Sequence, residues 1–353
     1  MIGPAVDGKG GIASVVSVLQ QVGFFERHHV RYVSTHVVGS RLAKLGAAVA
    51  GVWQVLVICV FARPRIVHVH SASHASFFRK SLMLAIARAV GLKTVFHLHG
   101  GGFKKFATAE SGALTRWWIR RTLTKSSAVI ALSESWADFL REYAPAVKVH
   151  VVANSVAVRE LAQPACEVPA RILFLGRASR SKGIFELLEA IASLTAQSPQ
   201  MSQIRLAIGG DGDLDEIARA VEQLGLGAHV EILGWVGPER KEAELARAAI
   251  FALPSYDEGL PMSMLEAMAA AKAVVVTPVG GIPQAVSDGV NGLLVAPRDV
   301  AALAQALRSL IEDDALRQRL GRGARATIVE RFSTDAVLGK LDALYRELGG
   351  IRA

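Results

Sequence analysis

This chain has few cysteines, and its first residues do not resemble a signal peptide. Its 353 residues include two cysteines, Cys59 and Cys166, which lie far apart and form neither a CxxC pair nor a metal-binding spacing. The N-terminal stretch MIGPAVDGKGG has no basic region followed by an apolar run, so a signal peptide is not expected. A disulfide-stapled secreted domain is therefore not expected, and a reducing, cytoplasmic setting fits best.

Acidic residues are scarce in the first half of the chain. Residues 1–160 hold 20 Lys and Arg against 7 Asp and Glu, whereas residues 161–353 hold 20 against 24. A basic half indicates an anionic partner such as nucleic acid, an anionic membrane face or a phosphate-bearing ligand; a soluble, arginine-rich surface is the alternative. Because no recognisable nucleic-acid module is present, nucleic acid is not expected as the partner.

One uncharged apolar run, residues 45–62, reaches the length of a membrane span. Basic residues flank it on both sides and give no orientation signal. Gln54 lies at its centre and the run leads directly into the strand pattern RIVHVH, which favours a buried or interfacial helix over a spanning one. The later cluster RWWIRR (116–121) interleaves aromatic and cationic residues in a way that suits a lipid headgroup region, so contact with an anionic bilayer surface is expected.

Short apolar runs rich in β-branched residues alternate with segments of helical period. The predicted strands are 30–34, 65–70, 93–98, 128–132, 147–152, 171–175, 204–209, 229–233, 249–253, 273–277 and 292–295. Helical patterns between them include 183–198, 213–225, 238–248 and 299–312. This alternation indicates parallel sheets covered on both faces, in two doubly wound domains joined by the proline-containing linker 159–171. In such folds, ligands bind beyond the carboxyl ends of the strands.

A glycine-rich turn, GKGGIASVV, lies close to the N-terminus. Gly10 and Gly11 precede a helix whose unpaired N–H groups could meet a phosphate or a hydroxyl-rich ligand, although such turns are often glycine-rich for geometric reasons alone. Only Met1 and Ile2 come before this turn, so most of the strand expected there is missing. Whether residues precede Met1 stays open.

Two cations follow the first strand of the second half. In RILFLGRASRSKGIFELLEAI, Gly176 and Arg177 come directly after the strand, and Lys182 and Gly183 precede a helix. A planar guanidinium and a point charge on one short loop can clamp a diphosphate from two sides. The GxxxxGK[ST] order of a P-loop is absent, and two solvated cations are the alternative.

Three glycines and three alternating aspartates follow the next strand: Gly209, Gly210, Gly212, Asp211, Asp213 and Asp215. The glycines suit the close approach of a phosphate or a sugar. The aspartates have the spacing of a metal site, but Asp213 as an N-cap and Asp215 in the first helical turn explain them without one. Further on, ILGWVGPER places Trp235 and Val236 at a turn beside an apolar wall, where a planar base could lie.

Two carboxylates stand out in YDEGLPMSMLEAMAAAK (256–272). Gly259 and Pro261 mark a turn, so Glu258 lies on a loop while Glu266 lies inside the following helix, among methionines and alanines. An unpaired carboxylate would be costly to bury there. Ribose hydroxyls would satisfy Glu266, and an ion pair with a lysine or arginine from elsewhere is the alternative.

These motifs, in this order, resemble those of the family four retaining glycosyltransferases, which use nucleotide sugars. The likeness covers nearly the whole chain. It is carried by Gly10-Gly11, His97-x-His99-Gly100, Val152-x-Asn154-Ser-Val156, GR-x4-KG, Glu258-x7-Glu266 and VVVTPVGGIPQAVSDGVNGLLV.

The resemblance implies an α/β fold of GT-B architecture, with two Rossmann-like doubly wound parallel-sheet domains and an interdomain cleft. Residues 1–160 would form an N-terminal acceptor-binding domain, and residues 168–332 a C-terminal domain that binds the nucleotide-sugar donor. Residues 333–353 would form a helix that returns toward the N-terminal domain.

The resemblance also implies roles for the matched positions. Arg177 and Lys182 would hold the donor diphosphate and stabilise the leaving nucleoside diphosphate. Glu266 would accept the ribose hydroxyls, Glu258 would position the donor sugar, and His99 would lie near the anomeric centre on the acceptor side. The other donor-side residues would be Gly11, Gly210, Trp235, Val236, Gly259, Leu260 and Pro261, and the other acceptor-side residues Gly10, His97 and Asn154.

The implied activity is retaining transfer of a hexose from a UDP- or GDP-linked donor to a glycan acceptor, with no metal or other cofactor. A polyprenyl-diphosphate-linked acceptor fits the basic first half, and indicates a peripheral enzyme at the inner face of the cell membrane that makes cell-surface polysaccharide. Two alternatives remain. Non-hydrolysing nucleotide-sugar epimerases share two Rossmann-like domains, and a basic membrane-surface adaptor would need no catalysis.

Overall fold

The chain folds into two compact units. A computed structural model describes residues 1–6, 8–35, 41–161, 166–197 and 199–349. Unit 1 comprises Met1–Ser155 with the C-terminal segment that begins at Thr334, and unit 2 comprises Val156–Ser333. The division falls before the predicted boundary at 160, because the N–H of Val156 donates to the carbonyl oxygen of Phe332 in unit 2 (3.0 Å). Residues 162–165 of the predicted linker lie outside the described residues.

Unit 1 is built on a six-stranded parallel sheet. Its strands are β1 (Ile2–Gly3), β2 (Val33–Ser34), β3 (Ile66–Ser71), β4 (Lys93–Leu98), β5 (Ala128–Ala131) and β6 (Val149–Val151). They follow the order β2-β1-β3-β4-β5-β6, a doubly wound arrangement. Strand β1 pairs with both β2 and β3, so the strand that the sequence left nearly missing is present as two residues.

Helices cover both faces of this sheet. They are α1 (Gly11–Gln21), α2 (Phe24–Arg27), α3 (Arg41–Val57), α4 (Ala75–Ala89), α5 (Phe103–Thr108), α6 (Ala113–Lys125), α7 (Glu134–Tyr143) and, at the C-terminus, α15 (Thr334–Glu347). Val129 and Ala131 belong to the core cluster that includes residues of α3, α4, α6 and α7. Ile130, between them in β5, belongs to the cluster that includes residues of α1 and α15. This alternation is the period of a strand buried on both faces.

Unit 2 repeats the same plan. Its strands are β7 (Arg171–Leu175), β8 (Arg205–Gly209), β9 (Val230–Gly234), β10 (Ile250–Leu253), β11 (Ala273–Val276) and β12 (Leu293–Leu294), in the order β12-β11-β10-β7-β8-β9. Its helices are α8 (Ile184–Gln197), α9 (Leu214–Gln223), α10 (Pro238–Arg247), α11 (Met262–Ala269), α12 (Ile282–Ala285), α13 (Val300–Glu312) and α14 (Asp314–Thr327). All the strands and helical segments predicted from the sequence are present, with ends that differ by a few residues.

The long apolar run forms most of α3 and the π-helical turn Ile58–Ala62 that follows it. Val55 and Cys59 are buried, whereas Trp53 and Phe61 are 66% and 82% exposed. No helix within the described ranges is long and apolar enough to cross a membrane. The run is therefore a partly buried helix, as Gln54 and the strand pattern that follows it indicated.

Candidate functional site

The loops that follow β7, β8 and β10 in unit 2 pack directly against one another. The N–H of Ala178 donates to the carbonyl oxygen of Asp211 (2.7 Å), and that of Tyr256 to the carbonyl oxygen of Ser181 (2.9 Å). Gly210 has a φ of 148°, and a Cβ there would lie 1.7 Å from the carbonyl oxygen of Gly176. Glycine is thus required for this loop packing, a reason that the sequence did not reveal.

Lys182 and Glu258 form an ion pair where these loops meet. Lys182 Nζ lies 2.6 Å from Glu258 Oε1, and Ser255 Oγ donates to the same oxygen at 2.9 Å. The two side chains are 24% and 10% exposed, so the pair reaches the surface through the lysine. Two groups assigned to the donor from separate motifs are therefore adjacent, and Ser255, which the sequence reading missed, holds the carboxylate in place.

Arg177 and Arg180 share one loop but have different surroundings. The Arg180 guanidinium pairs with Glu216 and stacks over the ring of Phe185. Arg177 is exposed, and its guanidinium makes no hydrogen bond or ion pair with any residue in the described ranges. Of these two arginines, Arg177 is the one whose planar donor fork is available to an anion.

Glu266 is satisfied by a lysine from another helix. Lys241 Nζ, on α10, lies 2.6 Å from Glu266 Oε1, and the two side chains are part-buried. The ion pair that the sequence left as an alternative is therefore present in the structure. It does not exclude ribose binding, since a carboxylate has several lone pairs and can accept a hydroxyl beside an ammonium.

The loop after Glu258 is held by the segment around Gly280. Gly280 has a φ of 57°, and a Cβ there would lie 1.8 Å from the carbonyl oxygen of Glu258. The N–H of Gly281 donates to the carbonyl oxygen of Gly259 at 2.6 Å. Pro261 occupies the N-cap of α11 and has no N–H, so this position cannot donate a backbone hydrogen bond to a sugar.

The two residues predicted to lie beside a planar base, Trp235 and Val236, differ in exposure. Trp235, just past β9, is about half exposed, while Val236 is buried beside Gly209, where a Cβ would lie 2.8 Å from Val236 Cγ2. The aspartates of the neighbouring loop are Asp211, Asp213 and Asp215. Asp213 stands at the N-cap of α9 without a side-chain capping bond, and the described residues contain no metal-ligand group that includes it.

In unit 1, Gly10 and Gly11 form an open helix start. Gly10 is the N-cap of α1 with a φ of 117°, and a Cβ at either position would meet no described atom within 4 Å. Protein packing therefore does not explain glycine at Gly11, in contrast to Gly210. An open helix N-terminus with room for close approach fits the predicted contact with an anion.

Four histidines of unit 1 stack on one face of the sheet. His70 and His97 are cross-strand neighbours on β3 and β4, and His68 and His99 lie two residues from them. His70 Nδ1 is 2.8 Å from His99 Nε2, and His68 Nε2 is 3.2 Å from His97 Nδ1. His68 Nδ1 contacts Tyr345 Oη on α15 at 2.7 Å.

These histidines are kept uncharged. Burial, reinforced by the neighbouring imidazoles, lowers the pKa of His68, His70 and His97 well below its usual value of 6.5. Burial alone lowers the pKa of His99 to about 3. The ring of His99 is therefore neutral at physiological pH, with its orientation set by the hydrogen bond to His70.

The acceptor-side assignments differ in their access to solvent. His99 is partly exposed, whereas His97 is 3% exposed and contacts the other imidazoles. Asn154 is also buried, three residues beyond β6. The ring nitrogens of His68, His70 and His97 lie within 4.8 Å of one another, so this group could hold a metal ion. The repeated HVH and HLH patterns on adjacent parallel strands were the signal for this cluster.

Two family models match consecutive parts of the chain. The model described as glycosyl transferase 4-like domain matches residues 14–155, and the model described as glycosyl transferases group 1 matches residues 163–327. The first match lies in unit 1 and the second in unit 2. Every unit 2 site residue described above falls within the second match.

Similar proteins agree with this family, and solved structures share the fold. Glycogen synthase of Mycobacterium tuberculosis (strain ATCC 25618 / H37Rv) is 29% identical over 307 residues, covering 80% of this chain and 69% of that protein. Sucrose-phosphate synthase from Thermosynechococcus elongatus has a TM-score of 0.78 at 20% identity, covering 99% and 98% of the two chains. Anabaena Alr3699/HepE in complex with UDP-glucose has a TM-score of 0.74 at 19% identity, covering 99% of each chain. The chain therefore belongs to the group 1 glycosyltransferases, with the two Rossmann-like domains of the GT-B fold.

Proposed function

We propose that this protein is a retaining glycosyltransferase that moves a hexose from a UDP- or GDP-linked donor to a glycan acceptor. The observation that carries the proposal is the junction of the unit 2 loops, where Lys182 pairs with Glu258 beyond the strand ends and the exposed Arg177 lies on the same loop as Lys182. A carboxylate fixed by one cation, with a second cation exposed on the same loop, suits a ligand that joins a sugar to a diphosphate.

The chemistry of this site is the management of charge. Cleavage of the bond between the sugar and the diphosphate builds negative charge on the leaving oxygens and positive character on the sugar ring. Arg177 and Lys182 counter the negative charge, and Glu258 stabilises the sugar side. Because Ser255 and Lys182 already hold Glu258, this carboxylate needs little reorganisation during the reaction.

The configuration at the anomeric carbon is retained if the acceptor attacks the same face of the sugar as the one from which the diphosphate departs. The departing phosphate then takes the acceptor proton, and no protein base is needed for that step. His99 is uncharged and is oriented by His70, so its role is that of a neutral hydrogen-bonding group near the sugar. The site residues proposed here supply this chemistry without a bound metal or other cofactor.

The acceptor is proposed to be lipid-linked, such as a polyprenyl-diphosphate glycan at the cytoplasmic face of the membrane. The basic composition of residues 1–160 and the exposed apolar side chains on and after α3, including Trp53 and Phe61, support this choice. Such an enzyme would act in the synthesis of cell-surface polysaccharide.

Two other functions predict different products. An epimerase would convert the nucleotide sugar without an acceptor, and a membrane adaptor would not consume it. Product analysis with and without a glycan acceptor separates all three outcomes. Formation of a new glycoside that depends on the acceptor supports transfer, and isomerisation of the donor alone contradicts it.

The most informative first experiment is a thermal-shift screen with UDP, GDP and their hexose conjugates. A ligand that binds the folded protein raises its melting temperature according to concentration and affinity. We expect one nucleoside diphosphate and its conjugates to raise the melting temperature of the parent protein, and to have a much smaller effect on Lys182→Ala. If no nucleotide affects the parent protein, the proposed donor class is wrong.

A further inference from the structure

Helices α4 and α6 of unit 1 enclose a groove of about 420 Å³. Its lining residues are Ala85, Arg88 and Ala89 on α4, and Trp118, Arg121, Thr122 and Lys125 on α6. Their spacings of three and four residues place each set on one face of its helix. Trp118 Nε1 donates to Ser81 Oγ at 2.8 Å, which joins the two helices beside the groove.

The cations of this groove have no acidic partner within the described ranges. Arg88, Arg121 and Lys125 form no ion pair with a described residue, and Arg88 Nη1 is buried without a described hydrogen-bond partner. Between Arg27 and Ser133 the chain has a single acidic residue, Glu110, which pairs with His74 and Lys105.

The cations of the groove are destabilised by burial and by one another. Burial, and then the positive charge of Arg121, lowers the pKa of Arg88. A cluster of cations held together without a carboxylate is stabilised when an anion enters, because the anion supplies both the missing charge and the missing hydrogen-bond acceptors.

Exposed apolar side chains flank the groove. On α4, Phe78 and Leu82 continue the line of Ala85 and Ala89 toward the helix N-terminus, and both are close to half exposed. On α6, Leu114 and Trp117 are 78% and 53% exposed, and the Arg121 guanidinium lies over the Trp117 ring. A free phosphate ion would need the cations alone, whereas a lipid brings apolar chains next to its phosphate.

We propose that this groove binds the phosphate of an anionic phospholipid headgroup, with the flanking apolar side chains entering the headgroup region of the bilayer. The site is separate from the donor site of unit 2. The lipid site deepens the proposed function, because it gives the proposed membrane association a specific contact. This inference rests on that association.

The test is flotation with vesicles of phosphatidylcholine alone or mixed with phosphatidylglycerol. The parent protein is expected to bind only the mixed vesicles, and to be released as salt increases. The double variant Arg88→Gln/Arg121→Gln is expected to bind about twenty-fivefold more weakly, since each cation near an anionic surface contributes about fivefold.

The matched control is Lys93→Gln/Lys148→Gln, which removes the same charge from exposed residues at the starts of β4 and β6. The control is expected to bind nearly as the parent does. Equal loss in both double variants would show general attraction rather than a site, and unchanged binding of Arg88→Gln/Arg121→Gln would also overturn the proposal. Stabilisation of the parent by inorganic phosphate without vesicle binding would contradict a lipid as the ligand.

The vesicles contain no glycan, so this test does not depend on the acceptor. In parallel, the thermal shift by UDP and GDP is measured for Arg88→Gln/Arg121→Gln, and it is expected to equal that of the parent. Vesicle binding with no nucleotide binding would refute the proposed transferase while supporting the lipid site. Nucleotide binding without vesicle binding would refute the lipid site while supporting the proposed transferase.

Discussion

The two units present opposite solutions to the placement of polar groups at the ends of parallel strands. In unit 1, four imidazoles lie in contact on one face of the sheet, and burial holds them in the uncharged form. In unit 2, Lys182 and Glu258 form a charged pair where the loops meet, and Arg177 is exposed on the same loop as Lys182. One region supplies oriented neutral groups and the other supplies charge.

This difference matches the chemistry expected on each side of the proposed reaction. A diphosphate leaving group needs cations, and a cation on a partly exposed loop has only a small desolvation penalty. A neutral imidazole near the sugar would not compete for the diphosphate, and its burial prevents protonation. The two units also differ in what their glycines do. Gly210 allows two protein loops to pack together, whereas Gly11 leaves open space at the start of a helix.

The largest expected effect is on turnover. Lys182→Ala and Glu258→Ala should each lower kcat by about a hundredfold to a thousandfold, because each removes a positioned charge next to the reacting bond. The measurement is steady-state transfer with the donor found by the thermal-shift screen, together with circular dichroism to confirm folding. Arg180→Ala is the matched control, since Arg180 lies on the same loop but pairs with Glu216. Near-parental turnover in Lys182→Ala or Glu258→Ala would refute the assignment.

The uncharged state of the imidazoles should make unit 1 sensitive to acid. The unfolded chain takes up protons below pH 6.5, whereas folded His99 does so only near pH 3, so stability present above pH 6.5 is lost as the pH falls toward 3. Each such histidine contributes about 1.4 kcal/mol per pH unit to this loss. Urea unfolding between pH 7 and pH 5 measures the slope.

The variant His68→Gln tests the source of that slope. It removes one of the groups that are protonated only in the unfolded chain, so the decrease in unfolding free energy with pH should become shallower by about 1.4 kcal/mol per pH unit. A variant with an unchanged slope would show that His68 is already protonated in the folded protein.

Glu266 and Lys241 allow the ribose contact to be separated from the ion pair. Glu266→Gln should raise the KM for the donor about tenfold with little change in kcat, because a charged acceptor for the ribose hydroxyls is lost. Lys241→Ala should change KM much less, since the carboxylate remains. Equal effects of the two substitutions would indicate that Glu266 serves only the ion pair observed in the structure.

The smallest expected effect is on stability alone. Tyr345→Phe removes the contact between Tyr345 Oη and His68 Nδ1 and leaves a buried nitrogen without that partner. The free energy of unfolding should fall by about 1 to 3 kcal/mol while turnover stays near that of the parent. A large loss of turnover without loss of stability would show that the histidine stack carries more than a structural role.

The fold was largely predictable because its signals are local. Apolar runs such as RILFL and KTVFHL are long enough to specify buried strands, and glycines or charged residues end them. The prolines of 159–171 indicated a linker there, whereas the structure divides the chain between Ser155 and Val156, where the N–H of Val156 bonds to the carbonyl oxygen of Phe332, far away in sequence.

The site was only partly predictable from the sequence. Arg177, Lys182, Glu258 and Glu266 stand out because charge is conspicuous on loops and among methionines. The ion pair between Glu266 and Lys241 joins helices α11 and α10, which are far from obvious as neighbours in the sequence. The packing of Gly210 on Gly176 depends on how closely two backbone segments approach each other. Contacts of this kind arise from tertiary packing and leave no periodic trace in the sequence.

The central claim is that Arg177 and Lys182 bind the diphosphate of the donor. Isothermal titration calorimetry of UDP and GDP against the parent protein, Arg177→Ala, Lys182→Ala and Arg180→Ala tests it most directly. We expect Kd to rise by about tenfold to a hundredfold in the first two variants, as for the loss of a charge-assisted hydrogen bond, and to stay at the parent value in Arg180→Ala. Equal affinities in all four proteins would contradict the account.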